Sequence, residues 1–86
     1  MTIKKLREQI DCIDEDLLIL IEKRQKLAKQ IGVLKEKNFL PLEDSLREKE
    51  VLEKNLKKGK TLGLLPCFVR SLVGLIILNA RIAQGD

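Results

Sequence analysis

Apolar residues recur along the opening stretch of the chain at Ile3, Leu6, Ile10, Ile13, Leu17, Leu20, Leu27, Ile31 and Leu34, with position 24 as the one gap. The steps alternate three and four without a slip, a heptad seam over about four and a half repeats. No proline precedes Pro41, and Gly32 is the single weak helix former of note within the pattern. The spacing therefore predicts one helix from about Thr2 to Asn38, on the order of 55 Å long at 1.5 Å per residue. A compact domain of this chain length has a radius of gyration near 12 Å, roughly. A lone chain thus leaves much of the seam in water, and pairing with a second copy is the simplest way to bury it.

The pattern breaks from Asn38 to Glu43, around Pro41. A second helix then opens at Asp44-Ser45-Leu46-Arg47-Glu48, where Ser45 and Glu48 stand in capping-box spacing and Asp44 is an equally good N-cap. Leu46, Val51, Leu52 and Leu56 give it one apolar face, and Gly59 is the expected stop, with Gly59 to Gly63 as a short connection. Pro66 suits the first turn of a third helix running to about Gln84. That helix is apolar on most sides and is expected to be the most buried. Three helices without a strand pattern make an all-α fold, one domain over residues 1–86.

Composition narrows the chemistry. Ala, Glu, Lys, Leu and Arg fill 45 of the 86 positions, as in long helices. Histidine is absent, which removes imidazole bases, Ser–His and Cys–His couples, and His-ligated zinc. Cys12 and Cys67 cannot build a metal site alone, and without a signal-peptide pattern they suit a reducing cytoplasm. The net charge of +4 permits an anionic partner. Phe39 and Phe68 are the only rings, too few for base stacking, so nucleic acid is not the expected partner. The most apolar run, Leu72 to Leu78, lies between Arg70 and Arg81 and is short of the roughly 20 residues of a membrane span. It reads as a buried helix.

Five positions break the apolar logic. Arg24 is the charged residue on the first seam: a structural guanidinium paired to a carboxylate, one that snorkels out to solvent, or an anion ligand. Lys35 follows three turns later on the same side, roughly 16 Å along the axis, so the two can bracket a small anion. Gln84 is a lone amide near the end of an apolar helix, where a fraying terminus is the simpler reading. Arg47-Glu48 at a helix start reads equally as ordinary surface charge.

The run IDCIDEDLLILIEKRQKLAKQIGVLKEKN, then a proline, DSLREKEVLE, a glycine and a terminal apolar helix ending in Gln84, resembles the all-helical class of chorismate mutases. The resemblance extends from Leu6 to Gln84 and includes polar residues that a helical scaffold does not need. It implies an intertwined homodimer of three-helix chains that rearranges chorismate to prephenate, in phenylalanine and tyrosine biosynthesis, without cofactor or metal. By the same resemblance, Arg7 and Arg24 bind the two carboxylates, Lys35 and Gln84 face the ether oxygen, and Glu48 accepts from the ring hydroxyl. Asp44 and Arg47 line the pocket beside it. Where many members carry a serine one turn before the glutamine, this chain has Ala80.

Physical reasoning adds two constraints. Arg7 and Arg24 are separated by 17 positions, roughly 25 Å of helix, so one small ligand reaches both only if Arg7 comes from a second chain. A pericyclic rearrangement transfers no proton and needs no nucleophile, which suits a chain without histidine. A lyase acting on isochorismate needs a similar dianion pocket, and a non-catalytic helical dimerisation module is the alternative outside enzyme chemistry.

Overall fold

In a computed structural model, which describes residues 1–85, the chain forms three helices in the order expected: α1 (Ile3–Lys37), α2 (Ser45–Thr61) and α3 (Pro66–Gln84). Thr2 caps α1 through its hydroxyl, which accepts from the Lys5 amide at 3.2 Å. Asp44 is the N-cap of α2, its carboxylate accepting from the Arg47 amide at 3.0 Å. This leaves Glu48 free of a capping role and available to the site. Pro66 opens α3, where its missing N–H costs no helical hydrogen bond.

The second helix overruns its expected stop. Gly59 lies inside α2, buried, and the chain turns only at Gly63, whose φ of 76° is the left-handed conformation that glycine adopts without penalty. The amides of Gly63 and Leu64 donate back to the carbonyls of Lys60 and Gly59, the paired bonds of a Schellman cap. Gly59 is small for a packing reason instead: a β-carbon there would stand 2.7 Å from Val69 Cγ2. The end of α1 uses the same cap with Phe39 in the left-handed position, at φ 54°, and the Leu40 amide donates to the Lys35 carbonyl at 2.7 Å. That reversal carries the connection back over Lys35.

Helix α3 packs on both others, whereas α1 and α2 do not pack on each other. Paired positions set the directions. Gln25 meets Asn79 and Gly32 meets Gln84, so α3 runs parallel to the second half of α1. Gly59 meets Val69 and Glu48 meets Arg81, so α3 is antiparallel to α2. The helices close on small residues, with Ala28 and Gly32 of α1, Gly59 of α2, and Val69 and Val73 of α3 buried.

This core is thin. Every residue from 1 to 24 is exposed, including the seam residues Ile10, Ile13, Leu17 and Leu20. The radius of gyration is 16.0 Å and the long axis spans 55 Å, the reach of α1 itself. The expectation that α3 is the most buried helix is met only on the side facing Val69 and Val73. Its other side leaves Phe68, Leu72, Leu75, Leu78 and Ile82 exposed, because two neighbours cover only part of a helix that is apolar nearly all round. Taken whole, α3 is also long and apolar enough to cross a membrane by length and composition, which the short run Leu72 to Leu78 had not suggested.

Candidate functional site

The three helices enclose a cavity of about 350 Å³. Arg24 and Lys35 reach it from α1, Asp44, Arg47 and Glu48 from the start of α2, and Arg81 and Gln84 from the end of α3. Leu27, Ile31, Val51 and Ile77 supply apolar wall. Six of the seven residues singled out from the sequence therefore meet at one place, from segments up to 60 positions apart (Arg24 to Gln84). Arg7 is the exception. It lies on the exposed first half of α1, outside the cavity of its own chain.

Lys35 is half-buried and tightly held. Its ammonium donates to the Gln84 side-chain oxygen at 2.8 Å and to the Leu42 carbonyl at 2.7 Å. An ammonium has three protons, so one remains for a ligand. It also fixes the amide of Gln84, because an ammonium can only face the oxygen, which leaves the Gln84 NH2 group as a second donor. Gln84 is thus not a fraying terminus. Its main chain lies against Gly32, where no β-carbon keeps α1 and α3 apart, and Gly32 is one turn before Lys35.

Glu48 has a partner that sequence reasoning missed. Arg81 donates from Nε to Oε2 at 2.6 Å and from Nη2 to Oε1 at 2.5 Å, a two-pronged ion pair. These hydrogen bonds hold the Glu48 carboxyl below its ordinary pKa. Partial burial and the Asp44 charge oppose the shift, while the charges of Arg81 and Lys35 add to it. Arg81 had entered the sequence reading only as a boundary of the apolar run. Its position three residues before Gln84, on the same helical face, was the available signal. Arg24 makes no ion pair among the described residues, so the structural-pair reading of that seam guanidinium is not met within the chain.

The cavity thus carries four cations, Arg24, Lys35, Arg47 and Arg81, against the carboxylates Asp44 and Glu48, a net +2. Residues 6–85 match the family described as chorismate mutase type II. The chain belongs to that family.

Among its curated relatives, the bifunctional chorismate mutase/prephenate dehydratase of Aquifex aeolicus is 48% identical over 58 residues, covering 67% of this chain and 16% of that protein. The Escherichia coli K12 protein of the same description is 35% identical over 79 residues, covering 92% of this chain and 20% of its own length. This chain therefore spans only about a fifth or less of those two relatives. A solved structure, a conserved hypothetical protein from Pyrococcus furiosus, superimposes with a TM-score of 0.75 at 32% identity, covering 98% of this chain and 96% of that one. That protein thus has a similar fold at nearly the same chain length. Ala80, one turn before Gln84, stands on the cavity wall.

Proposed function

We propose that residues 1–86 form one chorismate mutase domain that rearranges chorismate to prephenate as a homodimer with two shared sites. The observation that carries the reading is the Lys35–Gln84 hydrogen bond at the wall of a cavity with a net charge of +2. A dicarboxylate neutralises that charge. Arg24 takes one carboxylate and the partner's Arg7 the other, while Glu48 accepts from the ring hydroxyl beside Asp44 and Arg47.

The reaction breaks one C–O bond and forms one C–C bond in a single cyclic shift of electron pairs, with no proton transferred. The protein has two tasks. It selects the folded, chair-like conformer of a flexible dianion, which is an orientation effect. It also stabilises negative charge growing on the ether oxygen through the third proton of Lys35 and the amide of Gln84. Donors held in place before the reaction are typically worth about 3–4 kcal/mol each at such a site. The missing hydroxyl at Ala80 weakens binding more than chemistry, because the developing charge lies at the ether oxygen.

Dimerisation is supported by the wet seam of α1 and the uncovered face of α3, which together exceed what a monomer ordinarily leaves to solvent. It also explains how Arg7 reaches a cavity its own chain denies it. A cytoplasmic setting agrees with two unpaired thiols, Cys12 and Cys67. The test is direct: purified protein is incubated with chorismate and the product identified. Prephenate should accumulate, and decay at the uncatalysed rate refutes the proposal.

A further inference from the structure

We propose that Arg81 is a positioning residue for this site: its two-pronged grip on Glu48 orients that carboxylate and keeps it off Lys35. The inference rests on the reading of the cavity given above, in which Lys35 and Glu48 act on different parts of one ligand.

Three elements converge here. Glu48 is on α2, Lys35 on α1 and Arg81 on α3, and all three side chains line the same cavity. The charged groups around Glu48 are Arg81 from α3, Lys35 from α1 and Asp44 at its own helix start, and Glu43 stands 3.9 Å from the same guanidinium. Lys35 is close enough for its charge to act on Glu48, yet it makes no ion pair with a carboxylate among the described residues. The arginine is what separates them. Its planar fork matches both carboxylate oxygens at once, which a point-charge ammonium cannot do.

That choice of partner has a chemical consequence. Lys35 already spends two protons on Gln84 and Leu42. If Glu48 turned to Lys35, it would take the third and neutralise the charge needed at the ligand. With Arg81 in place, Glu48 keeps the unused lone pairs of its two oxygens for a ligand hydroxyl, and Lys35 keeps one donor. Arg81 and Gln84 share a face of α3, so the register of one helix sets both the partner of Glu48 and the partner of Lys35.

The proposal is tested in the full chain with Arg81→Gln, Glu48→Gln and the double variant. In steady-state kinetics with chorismate, Arg81→Gln should lower kcat by about 10- to 100-fold, the scale of a misplaced group in a preorganised site. In the Glu48→Gln background the same change should cost no more than about 2-fold, since its effect runs through Glu48. Losses that multiply independently overturn the proposal. A second readout does not depend on turnover: carbon-13 NMR of the Glu48 carboxyl, assigned with Glu48→Gln. Its titration midpoint should rise in Arg81→Gln, and an unchanged midpoint overturns the pairing even if the chain proves inactive on chorismate. Should Arg81→Gln fail to fold by thermal melting, Arg81→Lys is read in the same two assays, with intermediate values expected and parental values overturning the proposal.

Discussion

Gly32 and Gln84 touch backbone to backbone: a β-carbon at position 32 would stand 2.6 Å from the Gln84 main-chain oxygen. This contact sets how near the end of α3 comes to α1, and so the distance from Gln84 to Lys35, one turn beyond Gly32. Gly32→Ala should therefore force the helices apart at the site. Overpacking of this kind costs about 1–3 kcal/mol, offset by the roughly 1 kcal/mol that alanine gains in helix propensity. Urea unfolding should show a net loss, and kcat should fall with it. At Gly59 the obstacle is a methyl group of Val69 and not main chain, so Gly59→Ala should be the milder change. Equal losses at the two positions would sink this account.

Phe39 holds a left-handed backbone conformation and the residue is 95% exposed. A left-handed L-residue costs about 1–2 kcal/mol, while glycine brings an entropic cost of about 0.5–1 kcal/mol. Phe39→Gly should leave stability unchanged or raise it by up to about 1 kcal/mol, which for a domain of this size is a few degrees of melting temperature. A clear drop in the melting temperature would show that the ring is packed in the working assembly.

Lys35→Ala should reduce kcat by about 100- to 1000-fold, as removal of one preorganised donor does. Gln84→Ala should lower it as well. Because the two side chains are bonded to each other, their losses should combine less than multiplicatively, which a double-mutant cycle on kcat/KM measures.

The exposed seam of α1 makes a statement about assembly. Leu17→Glu and Leu20→Glu each place a charge on it and should shift the protein to monomer in sedimentation velocity, with activity lost in parallel. Subunit sharing has its own check. Inactive Arg7→Ala and Lys35→Ala chains, mixed and allowed to exchange, should regain activity, because each mixed dimer holds one intact site. If exchange is complete and no activity returns, Arg7 does not act across the interface.

Acid stability follows from the ion pair between Glu48 and Arg81. The folded pKa of Glu48 lies below its unfolded value, so the pair contributes stability that is fully present above the unfolded pKa. That contribution is lost as pH falls through the folded pKa. Urea midpoints measured down the acid range should decline less steeply for Arg81→Gln than for the parent. Parallel curves would mean that the pair is not what titrates.

The helices were legible along the chain because their causes are local: apolar spacing, the capping residue Asp44, and the proline at position 66. The end of α2 was not, since Gly59 looks like a stop until Val69, ten residues later, is seen against it. Lys35 illustrates the same division. Its place on the helix face of Arg24 follows from periodicity, and family resemblance joined it to Gln84. Yet which proton it has left for a ligand depends on Leu42 folding back and on Gly32 admitting α3. From the chain, Arg81 offered only its charge in an apolar helix and its spacing of three residues from Gln84. Its grip on Glu48 arises because α2 and α3 run antiparallel, a relation between segments 33 positions apart that no local pattern encodes. Periodicity and capping act over one or two turns and are written in neighbouring residues. The partners of a half-buried charge are chosen by how close two backbones approach, and that is decided only when the helices pack.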